Sequence, residues 1–388
     1  MTAAADDNSP LRPLAAGTGS ATLPGMNTVE EARGFVRRAI RGMHGYVPGL
    51  QPSPGQKLVK LNTNENPYPP SPHVLEALHA ATENAVRLYP NPEAASLREQ
   101  AARVYGLQPS QVLCGNGSDE ILAILLRTFV GEGETIAYFQ PSYSLYPVLA
   151  EIGRVRTTTV PLPRVARSSE MDGIPIPSPR AKIFLLTTPN SPYGVAFPTN
   201  WVEQLLRRFK GIVVADEAYV DFAAESSLPL LAANPRLIIA RTLSKAYSLA
   251  GMRAGLAFAH EELVREMMKV KDSYNVSRFS QVAACAALAD QDHFKVTRDR
   301  IVATRERFSK ILVDGGFTVL PSQANFIFAI PPRGMAAGAL YEGLLSRGFL
   351  VRYWKTGIVS DGLRISIGTD GQMDALAAAI EEVRRGNQ

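Results

Sequence analysis

Apolar positions along the chain recur with two different spacings, and their alternation lays out the fold. Helical spacing predicts helices over His73–Ala85, Ala95–Tyr105 and Asp119–Phe129, and another beginning near Tyr143. Between and beyond them lie short runs at Val112–Cys114, Thr135–Tyr138, Ile183–Leu186, Ile212–Ala215 and Leu237–Ala240. A run with almost no polar face belongs to a strand buried on both sides, as in a parallel sheet covered by helices. Residues 71–280 are therefore expected to form a large α/β domain with a mostly parallel sheet.

After Phe279 the pattern changes. Long amphipathic segments, Gln281–Ala289 and Phe294–Asp314, precede short strands at Phe317–Leu320 and Phe326–Ile330. A helix over Ala336–Arg347, strands at Leu350–Tyr353 and Leu363–Ile367 and a last helix over Asp370–Arg385 complete the chain. This predicts a smaller α+β domain over 281–388. Residues 34–70 read as an arm joining that domain. Residues 1–33 read as a flexible tail, since Met1–Gly25 is rich in Ala, Gly, Pro, Ser and Thr.

Composition narrows the function classes. With 388 residues, 46% hydrophobic and 20% charged, the chain suffices for two cores. The net charge of +5 is scattered apart from a basic turn at Arg37, Arg38 and Arg41, which suits small anions better than nucleic acid. Cys114 and Cys285 lie far apart, with no zinc spacing and no disulfide framework, so a reducing cytoplasm is expected and no metal. No apolar run approaches the ~18 residues of a membrane span. Met1–Gly25 lacks the apolar block of a signal peptide.

Candidate chemistry collects at predicted strand ends. Lys245, in Thr242-Leu243-Ser244-Lys245, follows a buried strand, where a lysine is costly to hold unless paired or used covalently. Taken alone it reads more readily as an ordinary surface lysine. Asp216 closes the strand Ile212–Ala215 and could pair with a protonated ring nitrogen; Tyr219 could donate to a phenolate oxygen. A solvent-facing acid or a Walker B-type metal ligand would look the same, but no GxxxxGK[ST] sequence accompanies it. Gly115-Asn116-Gly117-Ser118-Asp119-Glu120 joins a strand to a helix and offers N–H donors to an anion. Asp119 can also cap that helix, and Ser244 and Arg253 would complete the cup. Tyr143 could stack on a flat ring, or be a core tyrosine. Each signal is weak, but all fall where open α/β sheets bind ligands. Together they describe a cradle for pyridoxal 5'-phosphate.

From about Ile40 to Arg384 the chain resembles the fold-type I pyridoxal-phosphate enzymes of the aspartate aminotransferase superfamily, and most nearly the histidinol-phosphate aminotransferases. The resemblance rests on Leu61-Asn62-Thr63-Asn64-Glu65-Asn66-Pro67-Tyr68, Leu88-Tyr89-Pro90, Gly117-Ser118-Asp119-Glu120, Asp216-Glu217-Ala218-Tyr219, Thr242-Leu243-Ser244-Lys245-Ala246, Ala250-Gly251-Met252-Arg253 and Leu363-Arg364-Ile365-Ser366-Ile367-Gly368. It implies that Lys245 is the Schiff-base lysine and proton shuttle. Ser118, Asp119, Tyr143, Asp216, Tyr219, Ser244 and Arg253 would hold the cofactor, and Tyr89 would reach the cofactor phosphate of a neighbouring subunit in a homodimer. Arg364 would bind the α-carboxylate of glutamate and, with Arg352, the phosphate of the other substrate, while Tyr46 closes over it as a lid. The implied reaction is ping-pong transamination of L-histidinol phosphate with 2-oxoglutarate.

One departure stands out. The family commonly reads Asn-Asn-Pro-Thr-Gly where this chain has Asn190-Ser191-Pro192-Tyr193-Gly194. Ser191, or Asn190 in its stead, is then expected to meet the phenolate oxygen, and Tyr193 to narrow the pocket. Other readings of the same residues are an aromatic or broad-specificity aminotransferase and a phospho-amino-acid decarboxylase. A cofactor-binding regulator would need a DNA-binding domain that the first 40 residues are too short to supply, and a dinucleotide-binding dehydrogenase would need a full GxGxxG.

Overall fold

The computed structural model describes residues 29–53, 55–82, 85–165, 168–176 and 180–386. The chain divides into two compact units, Met1–Met43 and His44–Gln388. In the first, α1 (Val29–Gly34) and α2 (Arg38–Arg41) are helical. The expected tail thus lies outside the described residues as far as 28, and from Val29 it is helix rather than loose chain.

The second unit runs β1 (Val59–Leu61), α3 (Pro72–Ala80), α4 (Ala95–Tyr105), β2 (Val112–Asn116), α5 (Ser118–Phe129), β3 (Thr135–Gln140), α6 (Leu145–Ile152), β4 (Arg156–Pro161), β5 (Ile183–Thr187), α7 (Thr199–Arg208), β6 (Ile212–Asp216), β7 (Leu237–Thr242) and β8 (Ala254–Phe258). It continues through α8 (Glu261–Val270), α9 (Arg278–Ala289), α10 (Gln291–Asp314), β9 (Thr318–Val319), β10 (Phe326–Ile330), α11 (Ala337–Ser346), β11 (Phe349–Tyr353), β12 (Leu363–Ser366) and α12 (Asp370–Gly386).

Seven strands form one sheet in the order β2-β8-β7-β6-β5-β3-β4. All neighbours are parallel except β8, which runs against both β2 and β7. Strands β5, β7 and β8 are buried at every position, the signature of a sheet with both faces covered. One cover is α5, whose Ile121, Leu122, Ile124, Leu125 and Leu126 are buried; another is α7 with Trp201, Val202, Leu205 and Leu206. Ser71 caps α3, accepting from the His73 N–H with Pro72 in the first turn. That helix ends at Ala80, short of the expected Ala85, and Thr82 turns its hydroxyl back onto the His79 carbonyl. The helix expected from Tyr143 begins at Leu145. A second sheet, β1-β11-β12-β10-β9, takes its edge strand β1 from residues ahead of α3. The expected domain boundary at 280/281 falls inside α9, which packs on α3 and α4.

The connection after β6 is fixed by a sealed ion pair. Glu217, fully buried, accepts from Arg241 Nε at 3.0 Å and Nη2 at 2.8 Å, and from the Ser227 N–H at 2.6 Å. The Arg241 guanidinium lies 4.8 Å from the Tyr105 ring centroid and also donates to Ser226 Oγ at 2.7 Å. Removing one partner of such a pair strands the other charge in the core. Glu217→Ala is expected to destabilise the chain by about 3–5 kcal/mol, read as a fall in the urea unfolding midpoint.

Candidate active site

The parallel strands of the large sheet, β2 among them, end on one edge at Asn116, Gln140, Thr187, Asp216 and Thr242, and the loops beyond them enclose a cavity of about 410 Å³. At one end sits an anion cup. Gly117 adopts φ +83° before the first turn of α5, and a Cβ there would lie 2.4 Å from the Arg253 guanidinium. A Cβ on Gly255 would lie 2.4 Å from the Gly117 carbonyl carbon, so both positions need glycine for the backbone and the arginine to meet. Arg253, itself left-handed at φ +52°, donates to Asp119 at 3.0 Å, and Asp119 also accepts from the Tyr143 hydroxyl at 2.9 Å. Ser118 and Ser244 face the same cavity; Ser244 Oγ accepts from Thr242 Oγ1 at 2.9 Å. A helix N-terminus, two hydroxyls and a guanidinium are the donors that a phosphate takes.

Asp216 lies across the cavity, 3% exposed. Its Oδ2 accepts from the Tyr146 hydroxyl at 2.6 Å, whereas Oδ1 is buried with no hydrogen-bond partner. Burial pushes its carboxyl up to about 6, with the Tyr146 bond opposing. Lys245 donates to the Thr63 carbonyl at 3.0 Å, and burial together with the nearby Arg364 pushes its amine down to about 8. Tyr219, whose hydroxyl accepts from Asn64 Nδ2 at 3.0 Å, is raised by burial against the opposing charge of Arg364. These residues fit pyridoxal 5'-phosphate: a cup for the phosphate, an orphaned acceptor for a ring N–H and an amine of depressed basicity for the aldehyde.

The second sheet supplies the far wall. Arg352 and Arg364 are directly opposite one another on β11 and β12, and both line the cavity. Arg364 donates to Ser191 Oγ at 3.0 Å and to the Asn62 carbonyl at 2.8 Å, while its buried Nε has no partner. Burial, with Arg352 adding, holds its basicity below the ordinary value. Both guanidinium groups lie against the Trp354 ring, Arg352 5.1 Å and Arg364 5.5 Å from its centroid. Tyr46 also lines the cavity, its ring edge-on to Tyr143 at 6.0 Å.

One expected site residue lies elsewhere, and another, expected to serve a neighbouring subunit, lies outside the cavity of its own chain. Asn190 is buried outside the cavity lining, with Nδ2 donating to the Pro141 carbonyl at 3.1 Å and Oδ1 accepting from the Tyr193 N–H. Tyr89, 76% exposed, stacks on Tyr274 at 4.4 Å, away from the cavity of its own chain. Tyr193 does not narrow the pocket. The turn closed by Asn190 directs it into the core against Phe328, where Arg164 Nε donates to its hydroxyl at 3.2 Å. Asn64, Thr187, Tyr146 and Trp354 also belong to the site, and their sequence contexts assign them no role of their own. Only Asn64 carried a local signal, since asparagine tolerates the left-handed φ of +58° it adopts.

Both shifted groups weigh on stability with definite signs. The folded chain binds more protons than the unfolded one at Asp216 between 3.8 and about 6, so that contribution falls as pH rises through the interval. At Lys245 the unfolded chain binds more protons between about 8 and 10.5, so stability is regained as pH rises there. Site-resolved labelling of Lys245 with an amine-directed reagent is expected to rise with a midpoint near 8 rather than 10.5.

Comparison with known proteins bears directly on this site. The profile of the family described as aminotransferase class I and II matches residues 56–380. A histidinol-phosphate aminotransferase of Syntrophotalea carbinolica is 45% identical over 348 residues, covering 90% of this chain and 99% of the relative. One from Synechocystis sp. is 44% identical over 350 residues, covering 90% and 98%. The crystal structure of the Sinorhizobium meliloti histidinol-phosphate aminotransferase in complex with pyridoxal-5'-phosphate superposes with a TM-score of 0.77 at 30% identity, covering 86% of this chain and 93% of that one. An aspartate aminotransferase from Thermus thermophilus, 20% identical with a TM-score of 0.72 over 85% of this chain and 92% of its own, shares the fold.

Proposed function

The chain belongs to the class I and II aminotransferases and, within them, to the histidinol-phosphate aminotransferases; from that premise we propose that it uses pyridoxal 5'-phosphate to transfer the amino group of L-histidinol phosphate to 2-oxoglutarate. The products are imidazole-acetol phosphate and glutamate.

The observation that carries the substrate assignment is the arginine pair. Like charges directly opposite on neighbouring strands repel. Neither guanidinium meets a carboxylate among the described residues; they are bonded to Ser191, Asn62 and, for Arg352, the Pro48 carbonyl. An incoming phosphate relieves that repulsion with charge-assisted bonds, and a carboxylate of glutamate does so in the other half-reaction.

Ser118, Ser244 and Arg253 would hold the cofactor phosphate, Tyr143 would stack on its ring, and Asp216 and Tyr219 would bond its polar edges, with Ser191 near Arg364. When bound, the cofactor supplies an electron sink for the substrate carbanion. Lys245 Nζ, uncharged above about pH 8, is the base that takes the proton from the substrate Cα. Tyr46, partly exposed at the mouth, would exclude water once the phosphate is seated. The exposed Tyr89 and Tyr274 rings suit a homodimer in which Tyr89 completes the partner's cofactor site. No helix among the described residues is long and apolar enough to cross a membrane, and a cytoplasmic setting matches the free, unpaired Cys114 and Cys285.

A single-turnover spectral titration of the cofactor-loaded protein tests the reading. Histidinol phosphate is expected to discharge the visible cofactor band at far lower concentration than phenylalanine, and the reverse order would make the enzyme an aromatic aminotransferase. Arg352→Ala is expected to lower kcat/KM for histidinol phosphate about 10–100-fold, the worth of a charge-assisted bond, while changing the glutamate half-reaction only a few-fold. Arg364→Ala should impair both half-reactions.

A further inference from the structure

The two oxygens of Asp216 are in opposite situations. Oδ1 has no partner, while Oδ2 ends a line of hydroxyls that leads from Ser142 and Thr187 in the cavity lining to the buried Tyr146. Ser142 Oγ lies 2.9 Å from Thr187 Oγ1, which lies 2.6 Å from the Tyr146 hydroxyl, which lies 2.6 Å from Asp216 Oδ2. Each hydroxyl has one proton to give, and that count sets the direction. With Asp216 ionised, Tyr146 must donate to the carboxylate, so its oxygen accepts from Thr187. Thr187, its proton spent, accepts in turn from Ser142. All three dipoles therefore point toward the carboxylate, an arrangement in which each bond polarises the next. Tyr146 is wholly buried, so its hydroxyl is held by these protein partners alone.

We propose that Tyr146 is a positioning residue of the reaction: at the head of the Ser142–Thr187–Tyr146 relay it keeps Asp216 ionised, leaving Oδ1 as the acceptor for the ring N–H of the cofactor. The inference rests on the cofactor reading given above. Burial alone drives Asp216 toward its neutral form, and a neutral acid cannot hold the ring cationic. The other titratable groups facing Asp216 do not supply the missing help. Asp119 from α5 and the adjacent Glu217 both disfavour its charge, Glu217 being paired with Arg241, and Tyr219 is a neutral phenol held up by burial. Besides the Ala218 N–H, the hydrogen bond that favours the ionised carboxylate comes from Tyr146. The tyrosine ring packs on Tyr138 at 5.5 Å and Tyr143 at 5.8 Å, which fixes where its hydroxyl points.

The experiment measures the dissociation constant of pyridoxal phosphate against pH, from the visible band, for the full-length parent, Tyr146→Phe and Thr187→Val. Tyr146→Phe is expected to weaken binding roughly tenfold at pH 7, the worth of one hydrogen bond to a charged group, and to move the acid limb of the profile up by about one pH unit. Thr187→Val, which keeps the tyrosine, should shift the limb in the same direction by less. With saturating cofactor, kcat should fall in Tyr146→Phe while KM for histidinol phosphate stays near the parental value. Unchanged acid limbs in both variants would overturn the relay. A parent that binds no pyridoxal phosphate would overturn the cofactor reading instead. Carboxyl-carbon NMR of the cofactor-free proteins would then still test the relay, since it requires the Asp216 midpoint to rise in Tyr146→Phe. Should Tyr146→Phe fail to fold, Thr187→Val carries the same test.

Discussion

Charge held out of water at the ends of parallel strands is the constraint on which the rest of this molecule turns. Asp216 ends one buried strand and Lys245 follows another, and each is pushed by burial toward its neutral form. Both would be cheaper to lose, were stability the only measure. Around them the sheet spends its remaining polarity with economy. Tyr146 and Thr187 serve one oxygen of Asp216, Thr63 takes the Lys245 ammonium, and Glu217 with Arg241 anchors the chain just past the carboxylate. Strain of this kind, kept where chemistry is done, is what a site looks like before its ligand compensates it.

The large sheet and the small one divide the work by charge. The first brings a donor cup on the N-terminus of α5, where Gly117 lets Arg253 close in and Gly255 lets β8 pass against the Gly117 backbone. The second brings two guanidinium groups across one strand pair. Its edge strand β1 comes from the segment that also carries Asn62, Thr63 and Asn64, so the residues touching Arg364, Lys245 and Tyr219 share a single short stretch of chain. A shift of that stretch would disturb the arginine, the lysine and the tyrosine together.

Much of this was legible in the residues, and the failures have physical causes. Apolar runs such as Ile183–Leu186 and Leu237–Ala240 announce themselves because burial on both faces leaves no polar position within them. The edge strand Arg156–Pro161 gives no strand signal because it is exposed along nearly its whole length and holds no apolar run. Ala254–Phe258 is short, contains a glycine and runs against its neighbours, so it reads as the tail of the preceding loop. Within the site, charged and glycine-rich motifs stood out, but Tyr146 and Thr187 look like ordinary core residues until the fold sets their hydroxyls end to end. Asn190 and Tyr193 show the converse: the turn that contains them directs both away from the cavity that adjoining residues line.

The opposed arginines have a consequence for the free protein as well as for its turnover. Two like charges locked in register on β11 and β12 are a standing cost within the small sheet, and whatever anion binds between them binds the folded state alone. Folding equilibrium and anion concentration are therefore linked. At a free anion level one hundred times its dissociation constant the native state gains roughly 2.7 kcal/mol. Any phosphate or sulfate that occupied this site would act as such a ligand, and a melting temperature measured with it bound would describe the complex rather than the empty chain.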